Sequence, residues 1–256
     1  VLGLSGGIDS AVTAVIACQA LGPEKVLCVA MPSPFTSQAS VDDARQLAAN
    51  LGCDFAVIAI SEAMATYRDA LEPFFTGLAE DTAEQNIQAR IRGNLLMALS
   101  NKFGRLLLST GNKSEMAVGY CTLYGDTNGG LGLLGDLYKT EVFELSRHIN
   151  EAAGRELIPQ VVIDKPPAAE LAPGQKDEDS LPPYEVLDAI IERYMENDQA
   201  IDDIVAAGFP RADVERVVRL IRINEYKRRQ APVGIRVTHR SFGKDWRYPI
   251  TSKFRA

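Results

Sequence analysis

An α/β fold built on a doubly wound parallel sheet, with a helical C-terminal part, is the class this sequence predicts. Three observations predict it. Residues 25–31 (KVLCVAM), 54–60 (DFAVIAI) and 105–110 (RLLLST) are apolar in near-continuous runs of strand length rather than in alternation. Such strands are buried on both faces, as in a parallel sheet covered by helices. Stretches of helical length and pattern separate them, so the chain reads as repeated β–α units. A Gly-rich turn, Ser5-Gly6-Gly7-Ile8-Asp9-Ser10, follows the first apolar stretch, and open α/β sheets bind ligands at the carboxyl ends of their strands.

Taken in order, residues 1–4 (VLGL) form the end of the first strand, and Ala11, Val12, Val15, Ile16 and Leu21 set out the apolar face of the helix after the turn. Residues 25–31 are the second strand. A Pro/Ser-rich loop follows, and Ser40-Val41-Asp42-Asp43 opens a helix with a capping-box-like start. After the strand at 54–60, residues 62–78 and 81–103 are helical, and 105–110 return to the sheet. Gly130-Leu131-Gly132-Leu133-Leu134-Gly135 fits Gly-x-Gly-x-x-Gly, but no clear strand precedes it and no acidic partner is clear, so it reads as a flexible loop. Beyond Leu157 the character changes. Residues 165–183 (KPPAAELAPGQKDEDSLPP) are proline-rich, acidic and without periodicity, the composition of a lid loop. Helices resume at 184–197, 200–207 and 211–229, and the tail, 233–250, is basic with scattered aromatics.

The turn at residues 5–10 carries the chemistry. Strand, glycines and helix in this order form a phosphate cradle: backbone N–H groups converge and the helix N-terminus adds partial positive charge. Ser5 and Ser10 offer hydroxyl donors, whereas Asp9 cannot bind an anion directly and reads as a ligand of Mg²⁺. A Walker A loop needs a Lys, and none lies between Val1 and Pro23. Gly3-Leu4-Ser5-Gly6-Gly7 also fits the Gly-x-Ser-x-Gly elbow of α/β-hydrolases, but only His148 and His239 could complete a triad. A tight turn chosen for packing alone is the bland alternative.

Composition narrows the class. Hydrophobic residues make up 46% and charged residues 24% of the 256, ordinary for a globular protein. No run of eighteen apolar residues occurs, so no membrane association is expected. Cys18, Cys28, Cys53 and Cys121 show no C-x-x-C spacing and read as free thiols in a reducing compartment. With nothing read as a signal peptide, a cytoplasmic protein is expected. Net charge is −7, yet residues 204–256 hold thirteen Lys and Arg against four Asp and Glu. Arg211, Arg216, Arg219 and Arg222 fall at helical spacing as a solvated face, without the interleaved aromatics of a base-stacking platform. No nucleic-acid partner is expected.

The SGGIDS turn resembles the PP-loop of N-type ATP pyrophosphatases, a superfamily that includes GMP, asparagine and NAD synthetases. Further blocks resemble those of NAD synthetases in the expected order: Asn86-Ile87-Gln88-Ala89-Arg90-Ile91-Arg92; Ser109-Thr110-Gly111-Asn112-Lys113-Ser114-Glu115; Tyr124-Gly125-Asp126; Gly135-Asp136-Leu137-Tyr138-Lys139-Thr140; Pro173-Gly174-Gln175-Lys176-Asp177-Glu178; and Lys227-Arg228-Arg229-Gln230. The Gly-rich stretch after Glu115 and the ending at 242–250 (FGKDWRYPI) are similar to the glutamine-dependent branch. That branch carries an N-terminal nitrilase-like glutaminase domain. Because the chain opens inside a strand without Met, it is expected to be cut from a longer polypeptide that holds that domain.

The resemblance implies a Rossmann-like, adenine nucleotide alpha hydrolase-like sheet spanning residues 1–256 as one synthetase domain, with 165–183 as lid and 184–256 as its helical, basic C-terminal part. It implies conversion of deamido-NAD, ATP and ammonia to NAD, AMP and pyrophosphate through an adenylated intermediate, with Mg²⁺ as cofactor and a homodimer or larger homo-oligomer as the assembly. By position, Gly3, Leu4, Ser5, Gly6, Gly7, Ile8, Asp9, Ser10, Thr110 and Lys139 would contact ATP. Asn86, Arg90, Glu115, Asp126 and Lys227 would contact deamido-NAD. Asp9 and Glu115 would hold the metal, and Asp9, Lys139 and Lys227 would act in catalysis by neutralising phosphate charge. Ala168, Leu123 and Gly130 stand where the ammonia-dependent branch uses Thr, Lys and Asp, so those contacts do not carry over. Another PP-loop amidating ligase, such as a GMP synthetase-like enzyme, and a non-catalytic nucleotide-binding module remain the alternatives.

Overall fold

The structure, a computed structural model, describes residues 1–243 and 245–251; Lys244, within the 242–250 ending, lies outside the described residues. Six short strands form one sheet in the order β3-β2-β1-β4-β5-β6: β1 Leu2–Gly3, β2 Leu27–Ala30, β3 Asp54–Val57, β4 Leu108–Ser109, β5 Leu131–Gly132 and β6 Val233–Gly234. Every pairing is parallel, with Leu2 opposite Cys28 on one side and Leu108 on the other. The chain order runs outward from β1 to β3 in one direction and from β4 to β6 in the other, so the sheet is doubly wound about the β1/β4 boundary.

Near-continuous apolar strands dictate cover on both faces, and alternate side chains supply two cores. Leu2, Leu4 and Cys28 pack with α1 (Ile8–Leu21), α2 (Gln38–Leu51), α6 (Lys139–Ala153) and α7 (Gln160–Asp164). Val1, Val29, Met31 and Leu107 pack on the opposite face with Ile91 and Leu96 of α4 (Thr82–Phe103) and with α3 (Ser61–Phe75) behind it. A third core joins α5 (Lys113–Val118), α8 (Tyr184–Ile191), α9 (Ile201–Ala206) and α10 (Arg211–Ile223). This is the helical C-terminal part, and it packs on α5 and α6.

Several element limits differ from the sequence reading. The helix read as opening at Ser40 starts at Gln38, because Ser37 is its cap and accepts from Ser40 N. The flexible loop read at 130–135 contains strand β5. The tail supplies β6 beside it, a pairing of residues a hundred positions apart that leaves no local pattern. The single helix read at 211–229 breaks at Asn224, whose Nδ2 turns back to Val118 O and Leu220 O, and resumes as α11 (Glu225–Arg228). Residues 165–183 are irregular apart from one 3₁₀ turn, Asp177–Asp179.

Candidate active site

The Gly-rich turn sits between β1 and α1, at the point where the strand order reverses. Gly6 takes φ +82°, and a Cβ there would lie 2.3 Å from Ser40 O, so only glycine fits. Ser10 Oγ is buried, donates to Gly7 O at 2.9 Å and accepts from Ser5 N at 3.2 Å. Its hydroxyl therefore holds the turn closed. Gly7 is the N-cap of α1 and offers no side chain to the first turn, so its N–H groups face the cavity without a side-chain cap.

That cavity, about 310 Å³, opens beyond the carboxyl ends of β1, β2 and β4. Of the predicted ATP residues, Gly3, Leu4, Ser5, Gly7, Ile8, Asp9, Ser10, Thr110 and Lys139 line it, as do Glu115 and Asp126; Gly6 stands behind the wall. Gly93 of α4 is the second glycine that the site requires. A Cβ on it would come within 2.8 Å of Gly125 O, so α4 and the 119–128 segment are in direct backbone contact under the cavity.

At the cavity floor, Lys139 Nζ lies 2.5 Å from Asp9 Oδ2 and 3.3 Å from Glu115 Oε1. Each member is fixed by its element. Asp9 is in the first turn of α1, and its other oxygen accepts from Asn112 Nδ2 at 2.9 Å. Asn112 caps α5, accepting from Glu115 N at 2.9 Å, and thereby sets Glu115 on the first turn. Lys139 begins α6, and its N–H donates to Ser114 Oγ at 2.8 Å; Ser114 in turn donates to Asp188 of α8. Burial works against charge on Lys139, but the carboxylates of Asp9 and Glu115 outweigh it and hold its ammonium well above the ordinary range. Burial likewise pushes the Glu115 carboxyl up, to about 8, against the opposing pull of Lys139. Arg92 also lines the cavity. Burial lowers its guanidinium to about 10, and its Nε donates to Met31 O.

Asn86, Arg90 and Lys227 do not line this cavity. They converge instead on the segment after α5: Lys227 Nζ donates to Gly119 O and Cys121 O at 2.7 Å each, Asn86 Oδ1 accepts from Thr122 Oγ1 at 2.7 Å, and Arg90 Nε donates to Leu123 O at 3.2 Å. Asp126 closes the same segment by accepting from Thr122 N at 2.7 Å.

Sequence reasoning passed over several groups that build the site. Asn112, Ser114 and Asp188 orient the triad just described. Lys113, next to Asn112, is fully buried away from the cavity, where its Nζ meets Glu196 at 2.7 Å, Thr238 Oγ1 at 2.9 Å and Asp136 at 3.0 Å. It fastens the tail to α5. A Lys flanked by polar residues carries no signal of burial in the sequence. Asp177, read within the Pro173–Glu178 block and the acidic loop but given no role, is buried at 4% exposure and lines the cavity.

The donor set suits a hard divalent cation. Asp9 and Glu115 present carboxylate oxygens that share one lysine, and no cluster of three or more His, Cys, Asp or Glu residues forms a complete cage among the described residues. Two carboxylates with the remaining positions left to phosphate and water is the pattern that Mg²⁺ takes.

Comparison with known proteins identifies the family. Residues 1–231 match the NAD synthase family. The chain is 56% identical over 254 residues to the glutamine-dependent NAD(+) synthetase of Synechocystis sp., covering 99% of this chain and 45% of that protein. A solved glutamine-dependent NAD+ synthetase from Acinetobacter baumannii, in complex with ADP, is 50% identical with a TM-score of 0.64, over 97% of this chain and 45% of that one. NMN synthetase from Francisella tularensis is 27% identical with a TM-score of 0.75, over 91% and 87% respectively. The chain thus spans about half the length of the curated relatives it matches. With a phosphate turn at the switch point, a carboxylate–lysine cluster beneath it and a match over most of its length, the chain belongs to the NAD synthase family.

Proposed function

We propose that this chain catalyses the ATP-dependent amidation of deamido-NAD to NAD through an adenylated intermediate, with ammonia as nitrogen donor and AMP and pyrophosphate as products. The observation that carries the reading is the buried Asp9–Lys139–Glu115 cluster set directly beside the open N-terminus of α1. A nicotinate carboxylate attacking an α-phosphate meets strong charge repulsion, so a site for this reaction must concentrate positive charge. The α1 N–H groups receive phosphate, and Lys139, held charged by its neighbours, supplies a fixed cation at the floor. Mg²⁺ held by Asp9 and Glu115 would add charge neutralisation for the phosphates when bound. The adenylated carboxyl must then be kept from water until ammonia arrives, and residues 165–171 form the wall that does so.

Asn86, Arg90 and Lys227 serve deamido-NAD by shaping the 119–123 segment, with Glu115 and Asp126 on the cavity side. A glutaminase domain is the source of ammonia in the longer protein, and the setting is cytoplasmic; no helix among the described residues is long and apolar enough to cross a membrane. Association into a homodimer or larger homo-oligomer is supported by α3, which has no buried residue and carries exposed Phe74, with exposed Leu78 just beyond it.

Incubating the chain with ATP, Mg²⁺ and ammonium chloride, and offering either deamido-NAD or nicotinate mononucleotide, tests the reading. NAD and AMP are expected in equal amounts from deamido-NAD. Preferential amidation of the mononucleotide would move the assignment to the NMN synthetase side of the family, and no amidation of either would reject it.

A further inference from the structure

The mechanism above gives the nitrogen donor no place, and one group in the cavity has no assigned partner. Asp177 is 4% exposed, sits in the wall and has an oxygen, Oδ1, that is fully buried and without a hydrogen-bond partner among the described residues. An orphaned buried carboxylate oxygen carries the full cost of its lost hydration. The other oxygen, Oδ2, accepts from Tyr184 OH at 2.8 Å, which fixes the carboxylate's orientation. The backbone is fixed as well: Asp177 N donates to Pro167 O, and Ser180 N and Leu181 N both donate to Asp177 O.

The surroundings select a small cation. Lys139 is engaged by Asp9 and Glu115, and no salt bridge reaches Asp177 among the described residues. Tyr184 presents its ring to this region, with Lys139 Nζ 5.2 Å from the ring centroid, and Tyr120 lines the same end of the cavity. Burial first, and then the nearby carboxylates and a hydrogen bond toward Asp177, push both phenols above their usual range, so they stay protonated and face Asp177 as neutral donors. Oδ1 thus lies beside protonated phenols, with Lys139 already committed to two other carboxylates, and what it lacks is one N–H donor rather than the several oxygen ligands a metal demands.

Resting on the proposed amidation, we propose that Asp177 Oδ1 is the receiving site for the ammonium ion and takes its proton as the amide forms. The ammonium N–H donates to Oδ1, and one proton passes to the carboxylate. The freed nitrogen lone pair forms the C–N bond at the acyl carbon, and the C–O bond to AMP breaks with its electron pair leaving on the phosphate. The second surplus proton leaves with AMP, giving neutral amide. In this scheme the lid segment carries the group that admits the nucleophile.

The test uses the 256-residue chain, with ammonium chloride and hydroxylamine as alternative nucleophiles, the latter uncharged at neutral pH. Deamido-NAD-dependent exchange of pyrophosphate into ATP, measured without any nucleophile, reports the adenylation half-reaction. Its absence in the unaltered chain would reject the functional reading itself. Given that exchange, Asp177→Asn is expected to keep it and to raise KM for ammonium by roughly ten- to a hundred-fold, the loss of one charge-assisted hydrogen bond. Hydroxamate formation from hydroxylamine should change far less, and Asp177→Glu should recover part of the ammonium affinity. Tyr184→Phe, which removes only the Oδ2 donor, should show the same selectivity in milder form and serves if Asp177→Asn does not fold. Equal losses with both nucleophiles, an unchanged ammonium KM, or a shift in the Mg²⁺ half-saturation in its place would overturn the proposal.

Discussion

At the scale of single residues the site is governed by how few cations serve its carboxylates. Asp9 stands out in the sequence as a carboxylate in a glycine-rich turn, and the structure sets it in the cavity wall against Lys139. Its neighbour Asn112 does not stand out, since its role depends on a contact across 103 positions. Asp9→Ala removes a side chain at the cavity rather than in the core, so turnover should be lost with little change in melting temperature. Measured together, near-normal activity in a folded variant would take Asp9 out of the mechanism. Glu115 gives a pH signature. Its folded carboxyl is raised from 4.5 to about 8, chiefly by burial, with Lys139 opposing and Asp9 and Asp177 adding to the rise. A raised acid favours the folded state while protonated, so this contribution is full below about 4.5 and is lost as pH climbs through about 8. In Glu115→Gln the loss is absent. The stability of the variant relative to the unaltered chain, by urea titration without Mg²⁺, should therefore increase between pH 5 and pH 8. A pH-independent difference would show that burial does not control this carboxyl.

At the scale of elements, the apolar strand runs and amphipathic helices of the first half were readable because each is set by a local pattern. Elements fixed by distant partners were not: β5 and β6 are two residues each and exist only through each other and β4, and α5 and α7 are short, with limits set by caps and packing. The loop at 165–183 is intermediate. Composition marked 165–183 as a loop, but its contacts are tertiary: Gln88 Nε2 donates to Leu171 O at 2.9 Å, and Lys165 pairs with Glu170 at 2.9 Å beside Ser40. Few of its side chains are buried apolar anchors, Leu181 being one, so its opening should be cheap. Hydrogen exchange on 165–183 is expected to be fast in the free chain and slow only with ATP, Mg²⁺ and deamido-NAD together, since acidic Glu170, Asp177, Glu178 and Asp179 close over phosphates only when cations intervene. Equal strong protection in both states would make this a permanently packed loop.

At the scale of the whole molecule, apolar strands alternating with helices mark the parallel sheet, whereas the point where the strand order reverses is set by tertiary pairing and is seen only in the structure. What composition could not supply was the third core, in which α5 joins the helical part to the site, so that Asn112 holds Asp9 while Lys113, beside it, is locked to the tail. The same molecular view bears on the nitrogen source. Glutamine hydrolysis of the nitrilase type needs a cysteine nucleophile partnered by Glu and Lys. Cys18 and Cys28 are buried in the sheet core, and Cys53 shares sulfur contacts with them away from the cavity wall. Cys121 lies near Lys227, but that ammonium is held by two carbonyls, and burial pushes the thiol up to about 12. A thiol so raised is almost wholly protonated at neutral pH and is a poor nucleophile. The isolated chain is therefore expected to form NAD with ammonium chloride and not with glutamine at equal concentration. Adding a separate glutaminase that releases ammonia into solution should restore synthesis from glutamine. Glutamine-driven NAD formation by the 256-residue chain alone, abolished in Cys121→Ser, would place a glutaminase centre in this fold and contradict the assignment of that step to another domain.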